Sequence, residues 1–150
     1  MELTPQQATE FVHATVPAIG RIGVVVDALG PGWVDLRVPV QGNANHFGTM
    51  YAGALFALAE LPGGLLPLAI LDPMKYTPIV TRVDIRFVAA ARSDVTLHAS
   101  MQPEQLQVLA DQVDAEGRAE FTLELQGVDE NGRTVIDSTA YYQLRPNRSA

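Results

Sequence analysis

Apolar residues along this chain switch repeatedly between helical and strand-like spacing, and the switches divide it into elements. Thr4, Pro5 and Gln7 supply an N-cap, a proline at the first helical position and a capping-box partner, which predicts a helix through about His13 to Val16. Arg21 to Leu29 and Trp33 to Val40 are β-branched runs split by Gly30-Pro31-Gly32, the pattern of a hairpin. From about Met50 to Leu71 the chain is almost wholly apolar, too long for a strand and rich in alanine and leucine, so it predicts a helix. Pro62 lacks the N–H that would bond the Leu58 carbonyl and should kink or interrupt it.

Strand spacing returns at Thr77 to Ala90, where Thr81, Val83, Ile85 and Phe87 alternate with Arg82, Asp84 and Arg86. Val95 to Met101 predicts a further strand. Pro103 opens a short helix with Leu106, Leu109 and Val113 on one stripe. Ala119 to Val128 and Arg133 to Leu144 flank Asn131-Gly132, a hairpin signal. An apolar helix of this kind needs covering on all sides, and an antiparallel sheet wrapped around it does that.

With 150 residues and 47% hydrophobic composition, the chain is read as one domain over 1–150 with a real core. It has no cysteine, which excludes disulfides, thiol nucleophiles and thiolate metal sites. Three scattered histidines form no recognisable ligand set, so no metal is expected. The segment MELTPQQATEF lacks the basic and apolar regions of a signal peptide, and a cytoplasmic location is expected. A membrane span over the apolar run is opposed by Glu60, Pro62 and the Gly63-Gly64 pair, and no membrane partner is expected. A formal charge of −7 offers nucleic acid no electrostatic footprint. Arg82, Arg86 and Arg92 nevertheless fall close together in sequence, a candidate patch for a small anion.

Between His46 and Asp72, Glu60 is the only side chain charged at neutral pH. A carboxylate in such surroundings is costly unless it is paired, hydrogen-bonded or used in chemistry. It is the first candidate for a catalytic group; the competing reading is a solvated glutamate on an outer helix face. His46 is a second candidate base. Ser93, Ser100, Ser138 and Ser149 stand in no nucleophile-elbow context.

The order of elements and the motif around the central helix resemble the hotdog-fold acyl-CoA thioesterases, in particular the small single-domain branch that includes the phenylacetic-acid-pathway type. That branch carries Asn, Gly and His-Gly-Gly before the helix, and an acidic residue nine positions after the histidine. Here Asn45, Gly48, Tyr51-Ala52-Gly53 and Glu60 occupy those positions. The strand VDIRFVAAARSD is likewise similar to the family's aromatic-then-Pro-Ala segment followed by Gly-Asp. Four positions depart: Tyr51 replaces the histidine, Ala52 the first glycine, Ala90 a common proline and Ser93 the glycine before Asp94. The variant NHFGTMYAGALFALAE is similar to a less characterised group of thioesterase-like hotdog proteins.

The resemblance implies an α+β hotdog fold, with an antiparallel sheet of about five to six strands around one long helix, and hydrolysis of acyl-CoA-type thioesters to a carboxylic acid and free thiol. Coenzyme A is then part of the substrate, with no separate cofactor. Physical chemistry adds a division of labour. The Ala52 N–H, in the first turn of the helix, suits a developing oxyanion, and Glu60 suits a general base or nucleophile with a pKa raised by desolvation. The two lie eight residues apart, about 12 Å along a helix. A homodimer with antiparallel central helices would close that gap between subunits, and a dimer of dimers keeps the same pairing.

Asn45 orients water or thioester in this scheme, or serves only as a turn residue. Tyr51 donates its hydroxyl near the carbonyl, or only packs. Thr81 supports the water, or is simply a β-branched strand residue. His46, Gly48 and Gly53 are placed against the substrate by the motif, and Arg82, Arg86 and Arg92 against the coenzyme A phosphates by charge. The alternative from another class is a noncatalytic hotdog module that binds an acyl thioester or acts as an assembly unit. A dehydratase on the same fold lacks its usual Asp and His pairing here.

Overall fold

The Thr4 hydroxyl accepts the N–H of Gln7 at 3.2 Å and the Gln7 side chain accepts that of Thr4 at 2.9 Å, closing a capping box over α1 (Pro5–Thr15). The computed structural model describes residues 3–148; the first two residues of the MELTPQQATEF segment and Ser149 lie outside them. Pro17 then begins a second short helix, α2 (Pro17–Ile22), which ends at the left-handed Gly23. The strand predicted from Arg21 therefore starts later, as β1 (Val25–Gly30), because Pro17 presets another helical turn where β-branched spacing alone suggested extension.

β2 (Trp33–Val38) completes the hairpin, and the long apolar segment follows as two helices, α3 (Ala52–Glu60) and α4 (Pro62–Leu68), divided at Leu61. β3 (Tyr76–Phe87), β4 (Val95–Ser100), α5 (Pro103–Glu116), β5 (Ala119–Val128) and β6 (Thr134–Pro146) close the chain. The six strands form one sheet in the order β1-β2-β4-β5-β6-β3, with every neighbouring pair antiparallel. Ala54, Leu55, Ala57, Leu58 and Ala59 of α3 are buried with Leu36, Val38, Leu97, Leu125 and Ile136 of the sheet's inner face. Each large side chain removed from water this way contributes roughly 1.5–3 kcal/mol. A sheet curled around a central helix is the hotdog fold, with six strands and with the helix broken where Pro62 predicts.

The two sheet edges differ. Along β1, α1 occupies the edge: the Thr9 hydroxyl accepts the Val26 N–H at 2.9 Å, and His13 Nε2 meets the Val24 carbonyl at 2.7 Å. Along β3 no element of the described residues does the same, and Ile79, Val80 and Phe87 are exposed there. The predicted alternation of β3 is also interrupted. A bulge between Val80 and Arg82 shifts the register, so Thr81 is exposed instead of sharing the covered face with Val83 and Ile85, and its hydroxyl donates to the Tyr141 carbonyl at 3.2 Å. Among the described residues no helix is long and apolar enough to cross a membrane.

Candidate functional site

Glu60 is the last residue of α3, directly after the buried run Ala57-Leu58-Ala59, and is itself half-buried. Burial raises its carboxyl above the ordinary glutamate value, as the composition of the run predicts, and among the described residues no neighbouring cation or donor offsets that shift. This carboxylate is the partly desolvated, unpaired acid that the sequence singles out.

The local backbone explains how it is held. In a continuing helix the Glu60 carbonyl would accept the N–H of Gly64, but the Gly64 N–H turns to Leu61 at 3.0 Å. The freed Glu60 carbonyl accepts instead the hydroxyl of Tyr142 at 2.8 Å. Tyr142 reaches it from β6 across Gly63, where any Cβ would overlap the tyrosine ring. The ring also stacks on Phe121, centroids 5.0 Å apart and 14° from parallel. Burial, with the nearby Glu60 charge, pushes the Tyr142 hydroxyl pKa well up, so it stays a donor. Sequence reasoning missed Tyr142; the available signal was a phenol on the buried face of a strand, which needs a partner.

At the other end of α3, Tyr51 occupies the N-cap position with an extended backbone and no side-chain cap, leaving the N–H groups of Ala52 and Gly53 without intrahelical acceptors. Ala52 is exposed, and the Tyr51 ring folds back over Gly53, where a Cβ would overlap it. The approach to this helix tip is fixed by Tyr51 N–H to Asn43 carbonyl and Met50 N–H to Ala91 carbonyl, both 2.8 Å. Asn45 stabilises the same loop: its Oδ1 accepts the N–H groups of Phe47 at 2.9 Å and Thr49 at 3.1 Å, and its Nδ2 donates to the Thr49 hydroxyl at 3.0 Å. Gly48 takes the left-handed conformation that the turn requires, with φ 74°. His46 is exposed at the loop tip with its ring against Phe47, centroids 3.9 Å apart.

The three arginines occupy distinct settings. Arg82 is held by Asp84 at 2.9 Å and lies over the Tyr141 ring. Arg86 is exposed on β3, in register with Asp137. Arg92 follows Ala91, whose carbonyl anchors Met50, so it stands beside the entrance to α3 in a concavity of mixed charge shared with Ser93, Asp129, Glu130, Asn131 and Arg133, the last of these paired with Asp129. Among the described residues no cluster of three metal-ligating side chains occurs; His98 pairs with Asp35 at 2.6 Å instead.

The free N–H groups of Ala52 and Gly53 and the Glu60 carboxylate therefore stand at opposite ends of one nine-residue helix, about 12 Å apart by its rise. The family model described as "Domain of unknown function (DUF4442)" matches residues 5–143. A Pseudomonas aeruginosa protein of unknown function, described as a probable thioesterase, is 41% identical, with 98% of this chain and 99% of that one aligned and a TM-score of 0.90. A protein of unknown function from Chlorobaculum tepidum superposes with a TM-score of 0.82 at 18% identity, covering 97% of this chain and 99% of that one. A thioesterase from Haemophilus influenzae does so at 0.76 and 19% identity, covering 97% and 93%. At these lower identities the likeness is one of fold. No curated protein matches the sequence.

Proposed function

The chain belongs to the DUF4442 family, and from that membership, the hotdog fold and the isolated carboxylate we propose that it is a thioesterase hydrolysing acyl-CoA-type thioesters, with coenzyme A entering only as part of the substrate. The observation that carries the reading is Glu60: half-buried, raised in pKa and unpaired at the end of the central helix. The description of the 41% identical Pseudomonas aeruginosa protein as a probable thioesterase agrees with it.

The working unit in this proposal is a dimer. β3 offers twelve residues of open edge with exposed Ile79, Val80 and Phe87, while α1 occupies the opposite edge. A second copy added antiparallel along β3 extends the sheet across a twofold axis and brings both central helices to the same side. Glu60 of one subunit then serves the Ala52 and Gly53 N–H groups of the other. Arg92, beside that helix tip, meets the coenzyme A phosphates.

In the hydrolysis, water gives a proton to the Glu60 carboxylate as its oxygen attacks the thioester carbonyl carbon. The helix-tip N–H groups hold the oxyanion, the C–S bond breaks, and the leaving thiolate takes the proton back. Glu60 acting as nucleophile reaches the same products through an anhydride that water opens. The test is release of free thiol from a panel of acyl-CoA esters, acetyl to palmitoyl and including phenylacetyl. Hydrolysis of at least one member at an enzymatic rate supports the reading, and no release from any member overturns it.

A further inference from the structure

The central helix α3 keeps one stripe that the sheet does not cover. Ala54, Leu55, Ala57, Leu58 and Ala59 are buried, whereas Ala52 and Phe56 are exposed and Glu60 is half-buried. These three residues stand four apart within one unbroken helix, so they line up along a single face. Phe56 is 43% exposed, on a helix whose two leucines are both buried. A phenyl ring left in water on such a helix marks a surface that another molecule covers.

The charges at the two ends of the stripe say what that molecule is. The free N–H groups of Ala52 and Gly53 make one end electropositive, and the Glu60 carboxylate makes the other negative. A stripe of this kind is complementary to itself turned end for end, so the surface that fits it is the same stripe on a second copy of this chain. α3 also packs against β3, the strand with the open edge, which brings the stripe to the proposed seam.

The register then follows from symmetry. A twofold axis that sets Glu60 against the partner's Ala52 also sets Ala52 against the partner's Glu60, and Phe56, midway between them, faces its own copy on the axis. The helical rise places it about 6 Å from each end of the stripe. Resting on the thioesterase and dimer reading above, we propose that Phe56 is the positioning residue of the composite site. Two Phe56 rings meet on the twofold axis, in the offset or edge-on contact that aromatic pairs favour, and hold each helix tip opposite the partner's carboxylate. A slip of one residue moves Glu60 about 1.5 Å along the helix, and a misplacement of about 1 Å is enough to cost a reaction a large part of its rate.

The chain has no cysteine, so a single engineered thiol reports its own neighbours without interference. Phe56→Cys, Ala52→Cys and Glu60→Cys, each checked for native circular dichroism and dimer content, are treated with a short bis-maleimide. Phe56→Cys should link to a covalent dimer at least about tenfold faster than Ala52→Cys or Glu60→Cys alone, because only a residue on the axis meets itself. Ala52→Cys co-expressed with Glu60→Cys should link between the two chains, a test of the same axis with Phe56 intact. In the acyl-CoA panel, and at matched dimer content, Phe56→Ala should lower kcat about tenfold with little change in KM, and Phe56→Leu should restore most of the loss. A parent that hydrolyses no ester overturns the thioesterase reading, while the linking rates still judge the axis. Slow linking of Phe56→Cys, self-linking of Ala52→Cys at an equal rate, no link in the mixed pair, or an unaltered kcat in Phe56→Ala overturns the role of Phe56.

Discussion

The Tyr142 hydroxyl donates to the main-chain carbonyl of Glu60, 2.8 Å away and 82 residues earlier in sequence. This bond replaces the one that the turned Gly64 N–H withdraws from the Glu60 carbonyl, and it fixes the peptide that carries the proposed catalytic carboxylate. Removing the hydroxyl leaves a part-buried carbonyl without its partner. Tyr142→Phe should therefore cost about 1–3 kcal/mol of stability. As a positioning change it should also lower kcat more than it alters KM and move the acid limb of the pH profile. A stability loss with an unaltered profile would confine Tyr142 to packing.

Gly63 and Gly64 should respond to alanine in opposite directions. Gly63→Ala forces a methyl into the Tyr142 ring and should destabilise by about 1–3 kcal/mol, as overpacking does. Gly64→Ala meets open space and should stabilise by about 0.4–1 kcal/mol. Denaturant melts of the two variants measure both signs.

Glu60 has its pKa raised on folding, so the folded state holds a proton that the unfolded state has released in the window just above pH 4.5. Its contribution is fully present below the unfolded value and is lost as pH rises through the folded one, which makes the ionised carboxylate a liability at neutral pH. Glu60→Gln should melt a few degrees higher than the parent at pH 7, the gap closing as pH falls towards 4. Equal melting temperatures at pH 7 would mean the carboxylate is fully solvated.

The open β3 edge should be the dimer seam. Ile79→Lys combined with Phe87→Lys places two charges on that edge and should shift the protein to monomer in light scattering. Thiol release should fall in proportion to the dimer lost, because a monomer holds Ala52 and Glu60 at opposite ends of one helix. A fully active monomer would remove the composite site.

Much of this was legible in local signals. The Thr4-Pro5-Gln7 cap, the Pro62 break, the Asn131-Gly132 turn and the desolvated Glu60 each follow from residues next to one another in the chain. The misreadings arose where competition between local rules, or distant partners, decides. Pro17 overrode β-branched spacing at Arg21, and the bulge after Val80 turned Thr81 out of a face that strict alternation assigned to it. A phenol on a buried strand face signals that Tyr142 needs a partner, but the partner is a carbonyl freed on another element, which no local signal names. Arg82, Arg86 and Arg92 are neighbours in sequence, yet Arg82 is tied to Asp84 while Arg92 stands at the mouth of α3.

The most direct trial of the account is single-turnover thiol release from octanoyl-CoA by the parent and by Glu60→Gln, at matched dimer content and with S-octyl-CoA affinity measured beside it. Glu60→Gln should bind the thioether normally and turn over about 10²–10⁴ times more slowly. Turnover within about threefold of the parent would contradict the central assignment.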